Sequence, residues 1–299
     1  DDRNNLVFIQ DKSLAKVYTM EFEEMWGGSG PQPNSALAKF GPDKSDNTPH
    51  ILNVGGKMVE SYFSPSDNVN AQIIRTIQSA DHNLAFATLV LTRTDLAYAI
   101  EDRALNYGVG VSGIMNDSSG GSGTAFQIIQ SAIGTNMLLF DFANNPGIMH
   151  HKYALVDHTY LNSDPVVLTG SHNWSSAATQ RNDENTLIIH DHNIVNQYFQ
   201  EFLHMYNGNG GSLNVAEAEN DIISGVIAYP NPAENIAYLN FQSSKPYKGI
   251  LKVRDMSGRI MRSEVVSIDQ GDNQVQLDVA NAASGIYLVS VGNAKPARL

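Results

Sequence analysis

The chain has 299 residues, a formal net charge of −12 and 42% hydrophobic content, which fits a globular protein with room for about two domains. The acidic balance argues against a broad electrostatic footprint for DNA or RNA, and no apolar run approaches the roughly 20 residues of a membrane-spanning helix. Zero cysteines exclude disulfides, zinc–thiolate sites and thiol catalysis without fixing a compartment.

In chain order, residues 1–28 read as a strand, then Asp11 at a helix N-terminus, then an amphipathic helix. Residues 29–56 are rich in Pro, Gly, Asn and Asp and read as a linker with a hairpin turn at Gly55-Gly56. A strand is expected over 58–63, a helix over 70–80 with Ile73, Ile74 and Ile77 on its buried stripe, and a strand over 83–92. A helix over 95–107 closed by Gly108 and a strand over 109–115 follow. The Gly/Ser stretch 116–123 reads as a connection rather than a phosphate loop, because no Gly-Lys-Ser/Thr follows. A helix near 125–133 and a strand over 137–142 lead to His150.

The stretch from His150 to Asn185 carries the chemistry. It reads His150-His151-Lys152, Asp157, Gly170-Ser171-His172-Asn173-Trp174 and Glu184-Asn185. In an extended strand His150 and Lys152 share one face and His151 points away. The imidazole can serve as nucleophile or proton carrier near neutral pH, and the ammonium can offset anionic charge. Ser171 and Asn173, also two apart, add a hydroxyl and an amide for nonbridging oxygens. Glu184 can hold one imidazole nitrogen so that the other is presented to substrate. This is the constellation expected for displacement at phosphorus. Asp157 sits at the strand end, where a structural role is favoured. His151, His158, His172, His190, His192 and His204 lack such context and read as solvent or capping residues, and Trp174 reads as packing.

These motifs resemble the phospholipase D superfamily, whose pattern is His-x-Lys-x-x-x-x-Asp, then Gly-Ser-x-Asn, then Glu-Asn. The resemblance covers about residues 57–206 and implies an α/β fold, a mixed sheet sandwiched by helices. It also implies a phosphohistidine intermediate formed without metal or other cofactor. Carried over, His150 is the nucleophile or its acid partner, His150, Lys152, Asp157 and Glu184 form the catalytic set, and Ser171 and Asn173 bind the substrate phosphate. The family uses two copies of the motif, and this sequence holds one. A shift of 180 residues nevertheless lays Asn5, Ile9, Asp11, Leu14, Tyr18, Glu21, Phe22, Met25 and Trp26 on Asn185, Ile189, Asp191, Ile194, Tyr198, Glu201, Phe202, Met205 and Tyr206. Residues 1–28 therefore read as the tail of an upstream repeat, with Asn4 where the second copy has Glu184. Asp1 is not an initiator methionine, so the sequence reads as part of a longer protein. The second His-Lys pair is expected from an upstream half or from a homodimer.

Residues 208–225 read as a linker that begins within Asn-Gly-Asn-Gly-Gly-Ser, residues 207–212. Residues 226–299 alternate strands and turns and read as a small all-β domain, a β-sandwich. This segment resembles the C-terminal sorting domain of the type IX secretion system through Tyr229-Pro230-Asn231-Pro232, Asp255 to Arg259, Gly271 to Asn273 and Gly285-Ile286-Tyr287. The resemblance implies handling by that machinery in a Bacteroidetes-type Gram-negative bacterium, with secretion or surface attachment. The expected catalytic domain is then residues 57–207, and its substrate a phosphodiester, either a phospholipid head group or nucleic acid. The function expected is a secreted phosphodiesterase, with a nuclease or a catalytically lapsed surface-binding module as alternatives.

Overall fold

A computed structural model describes the chain except residues 1, 120, 144–146, 161–162, 214–222, 256–258 and 293–296. It divides into two compact units, one of residues 1–101 and 111–214, the other of 102–110 and 215–299.

The first unit opens with α1 (Lys12–Trp26), whose N-cap Asp11 accepts hydrogen bonds from Ser13 N and Leu14 N. The hairpin of β1 (Ile51–Val54) and β2 (Lys57–Ser64) turns through Gly55 and Gly56, both at positive φ, as a tight turn of this hand requires. Then come α2 (Val69–Gln78), β3 (Asn83–Thr88), α3 (Thr94–Asn106), β4 (Gly110–Met115), α4 (Ser122–Ile133) and β5 (Met137–Leu139). Strand β3 stops short of the expected residue 92 because the chain turns at Val90 to exchange bonds with Trp174. The motif region supplies β6 (Lys152–Val156), β7 (Val166–Gly170), the short α5 (Ser176–Gln180), β8 (Glu184–Ile189) and α6 (His192–Gly208).

The eight strands form one mixed sheet in the order β1-β2-β8-β7-β6-β3-β4-β5. One face is covered by α1 and α6: Leu14, Val17, Val195, Tyr198, Phe199, Phe202 and Tyr206 share a buried cluster with Tyr153, Leu155, Val167, Leu187 and Ile189. The alternation of the strand turns Ala154 and Val156 to the opposite face, where α2 packs along β2, β6 and β7. Helices thus sandwich a mixed sheet, and the motif strands β6, β7 and β8 lie in its interior, paired on both edges.

The segment expected as a simple linker is fastened. Lys44, buried, pairs with Glu21 of α1, donates to Ser64 O at 2.8 Å, and lies 3.1 Å from Asp183 Oδ1. Gly41 N donates to the same Asp183 carboxylate. A buried ammonium needs such partners, and their supply from three separate elements is invisible to local composition.

In the second unit, β9 (Ile223–Tyr229), β10 (Ile236–Ser243) and β13 (Gly271–Asp278) form one antiparallel sheet. A second sheet is made by β11 (Tyr247–Asp255), β12 (Ile260–Ile268), β14 (Tyr287–Val291) and β15 (Ala297–Arg298). Leu239, Leu251, Phe241, Leu277, Val289 and Val291 form their common core. Part of the turn expected at Asp255 to Arg259 lies outside the described residues, but Arg259 N donates to Asp255 Oδ1 at 3.1 Å across it.

Candidate active site

The motif strand begins two residues later than expected, at Lys152. Before it the chain is held from both sides: Met149 N donates to Asn116 Oδ1 at 2.9 Å, His150 N to Arg3 O at 2.7 Å, and Leu89 N to His151 O at 2.8 Å. The spacing still brings the two groups together, with Lys152 Nζ 3.3 Å from His150 Nδ1 and 2.9 Å from His150 O. An ammonium has no lone pair to offer, so Nδ1 faces it as acceptor and the neutral ring carries its proton on Nε2. Burial, with the Lys152 charge second, holds the His150 pKa below its ordinary value. Burial also lowers that of Lys152, against the opposing charge of Glu184.

Gly170 closes β7 against β8 so tightly that a Cβ there would lie 2.1 Å from Asn185 O. This contact sets Ser171 beside Asn185: Ser171 N donates to Asn185 O at 3.0 Å, and Ser171 Oγ accepts from Asn185 N at 3.0 Å and Nδ2 at 3.3 Å. Asn173 follows on the same turn, its backbone carbonyl bonded to Ser175 N and its buried Oδ1 without a hydrogen-bond partner among the described residues. Trp174 is fully buried and stacks on Phe86.

His150, Lys152, Ser171, Asn173 and Glu184 line one cavity of about 700 Å³. The orienting bond expected between Glu184 and His150 is not among the contacts of the described residues. Glu184 Oε1 instead accepts from Asn182 Nδ2 at 3.2 Å, and it is Lys152 that occupies Nδ1. Asp157 lies at the other end of β6, roughly 16 Å along the strand at the usual rise per residue. Its Oδ1 accepts from the N–H groups of His82 at 2.8 Å, Asp81 at 3.1 Å and Asn83 at 3.2 Å, and its carboxylate also takes a bond from Ser163. The structure thus gives Asp157 the work of pinning the turn before β3 and leaves it out of the cavity.

The opposite wall comes from residues that sequence reading took for a repeat remnant: Asn4, Asn5, Leu6, Val7, Ile9, Leu14 and Tyr18. The signal was present, since the 180-residue shift lays Asn4 on Glu184 and Val7 on Leu187, and both members of each pair face the same cavity. Of the histidines read as solvent or capping residues, His151 and His172 are buried instead, and His158 is partly buried. His151 takes a bond from Asn5 Nδ2 at 3.1 Å and lies 3.3 Å from Glu201 Oε1. His158 packs on Phe199 and His172 lies under α5; burial depresses their pKa values to about 3 and about 4. His190 bridges Glu60 at 3.1 Å and Asp164 at 2.9 Å. Burial opposes its protonation, but these carboxylates outweigh that and raise it to about 9.

Residues 73–206 match the domain family described as "Cardiolipin synthase, PLD-like domain", and residues 227–297 match "Secretion system C-terminal sorting domain". Among curated proteins, the mitochondrial cardiolipin hydrolase of Xenopus tropicalis is 57% identical over 56 residues, 19% of this chain and 24% of that protein. A phospholipase D of Rickettsia conorii is 38% identical over 63 residues, 21% of this chain and 28% of that protein. These matches span only about a quarter of the relatives' length. Among solved structures, the phospholipase D family member Nuc from Salmonella typhimurium aligns with a TM-score of 0.42 at 24% identity, over 50% of this chain and 95% of that one. The chain thus holds a PLD-like domain over residues 73–206 and a secretion-system C-terminal sorting domain over residues 227–297.

Proposed function

We propose that the protein is a secreted phosphodiesterase that hydrolyses phosphodiester bonds, those of phospholipid head groups in preference to nucleic acid, through a phosphohistidine intermediate. The observation that supports it is the gathering of His150, Lys152, Ser171, Asn173 and Glu184 on one cavity. His150 is the nucleophile or its acid partner. Its depressed pKa keeps the ring neutral at neutral pH, as attack on phosphorus requires. Substrate phosphate competes with Nδ1 for the Lys152 ammonium. Nδ1 then takes up a proton from solvent as Nε2 gives up its own, and Nδ1–H donates to Glu184, which leaves the lone pair on Nε2 free to attack. A bond forms from nitrogen to phosphorus, the ester bond to the leaving oxygen breaks, and a second histidine protonates that oxygen. Water then releases the phosphate from His150. Lys152, Ser171 and Asn173 stabilise the charge that builds on the nonbridging oxygens.

The second histidine comes from an upstream repeat or a second copy of the chain, with residues 1–28 as that repeat's tail, 29–56 as the connection and 57–207 as the catalytic domain. The apolar wall formed by Leu6, Val7, Ile9 and Leu14 and the net charge of −12 favour a lipid diester. Residues 226–299 direct the protein through the type IX system to the medium or the cell surface.

The test compares wild type with His150→Asn at equal folded yield on three substrates in EDTA: bis(p-nitrophenyl) phosphate, cardiolipin-containing vesicles and single-stranded DNA. Turnover of the small diester and the vesicles, lost by about 10²–10⁴-fold or more in the variant, is expected. Equal turnover by His150→Asn would refute the role of the ring, and cleavage of DNA alone would move the substrate to nucleic acid.

A further inference from the structure

Tyr18, on α1, donates from its hydroxyl to Asn185 Oδ1 at 3.3 Å. That bond fixes which way the Asn185 amide faces, so that its Nδ2 is turned toward Ser171 Oγ, 3.3 Å away, while the Asn185 backbone N–H donates to the same oxygen at 3.0 Å. A serine hydroxyl has two lone pairs and one proton. With both lone pairs occupied, Ser171 can act only as a donor, and Ser171, Asn185 and Tyr18 all line the cavity. Burial raises the Tyr18 pKa to about 12, so its hydroxyl keeps its proton throughout the neutral range.

From this geometry we propose that Tyr18 is a positioning residue: acting through Asn185, it holds Ser171 as an obligate hydrogen-bond donor to a nonbridging oxygen of the substrate phosphodiester. The inference rests on the phosphodiesterase reading of the cavity and adds to it a residue from outside the motif-bearing segment. The same contact is built a second time with the partners exchanged. Tyr198, on α6, donates to Asn5 Oδ1 at 2.9 Å, and both the tyrosines and the asparagines are 180 residues apart. A chance approach of one tyrosine to one amide would not be repeated reciprocally. The two copies differ in what the amide serves. Asn5 turns its Nδ2 to His151 and its Oδ1 also accepts from Thr169, whereas Asn185 serves the hydroxyl of Ser171.

The test is a double-mutant cycle between Tyr18→Phe and Ser171→Ala, read as kcat/KM on bis(p-nitrophenyl) phosphate, as the Kd for inorganic phosphate, and as Tm. Loss of one such hydrogen bond should lower kcat/KM and weaken phosphate binding by roughly threefold to tenfold. In the Ser171→Ala background, Tyr18→Phe should cost nothing more in either measurement, while its effect on Tm is the same in both backgrounds. Tyr198→Phe, the matched control, should show no coupling to Ser171→Ala. No effect of Tyr18→Phe, or an equal loss in both backgrounds, overturns the proposal. Should Tyr18→Phe fail to fold, Asn185→Asp keeps the size and an acceptor for Tyr18 but removes the Nδ2 donor, and the same coupled loss is expected. A wild type that binds phosphate but turns over no diester defeats the phosphodiesterase reading while the binding cycle still judges Tyr18. A wild type that neither turns over diester nor binds phosphate overturns both.

Discussion

Residues 4–26 and 184–206 carry matching side chains at a constant offset, yet only their second halves fold alike. Both helices start on an aspartate that takes two backbone N–H bonds, Asp11 for α1 and Asp191 for α6. A helix closes its hydrogen bonds within its own segment, so cap and periodicity suffice to form it wherever they occur. The strands part company. Residues 184–189 form β8, paired on one side with β2 and on the other with β7, whereas residues 4–10 form no strand, with an isolated bridge from Arg3 to Met149 beside them. A strand needs a neighbour on its edge, and sequence similarity does not supply one.

Packing separates the two copies further, and substitutions in both probe the difference. Phe202 is fully buried, while Phe22, its counterpart, is 52% exposed and stacks on Trp26. Phe202→Ala should therefore cost about 3–5 kcal/mol in denaturant unfolding and Phe22→Ala about 1 kcal/mol or less. Equal costs would mean that α1 is as deeply held as α6. Next in size is the chemical asymmetry. Lys152→Ala should remove about 3–4 kcal/mol of transition-state stabilisation, read from kcat/KM, and Asn4→Ala, on the facing wall, about 1 kcal/mol. A comparable loss from Asn4→Ala would make the two walls chemically equivalent. Gly170→Ala forces a Cβ onto the Asn185 carbonyl and should destabilise by about 1–3 kcal/mol, with loss of phosphate binding as Ser171 shifts. A variant with unchanged Tm would show that β7 and β8 can separate there. The smallest expected effect is the one on which the copies agree: Asp11→Ala and Asp191→Ala should each cost about 1 kcal/mol, and a large disparity in Tm would break the likeness of the helices.

The same division explains what could be read from the sequence. The apolar stripes of α2 and α6, the Asp caps, the Gly55-Gly56 turn and the shared face of His150 and Lys152 rest on local periodicity, and they could be read directly. The choice of Lys152 rather than Glu184 as the group on His150 Nδ1 depends on how β6 and β8 are set across β7, which spacing along one strand does not encode. Asp157 belongs to the sequence motif, but the strand carries it away from the cavity. Lys44 read as part of a linker because its three partners, Glu21, Ser64 and Asp183, lie on separate elements. His151 and His158 read as surface residues because nothing beside them announces Glu201 or Phe199.

Lys152 also sets the kinetics of encounter. Among the described residues it is the one lysine lining the cavity and no arginine lines it, and it sits in a chain of net charge −12. The long-range field repels an anionic ligand, and attraction begins only inside the cleft. Added salt, which screens the field over about 10 Å at 0.1 M, should speed association with polyanionic surfaces, the reverse of the slowing seen with basic phosphate-binding proteins.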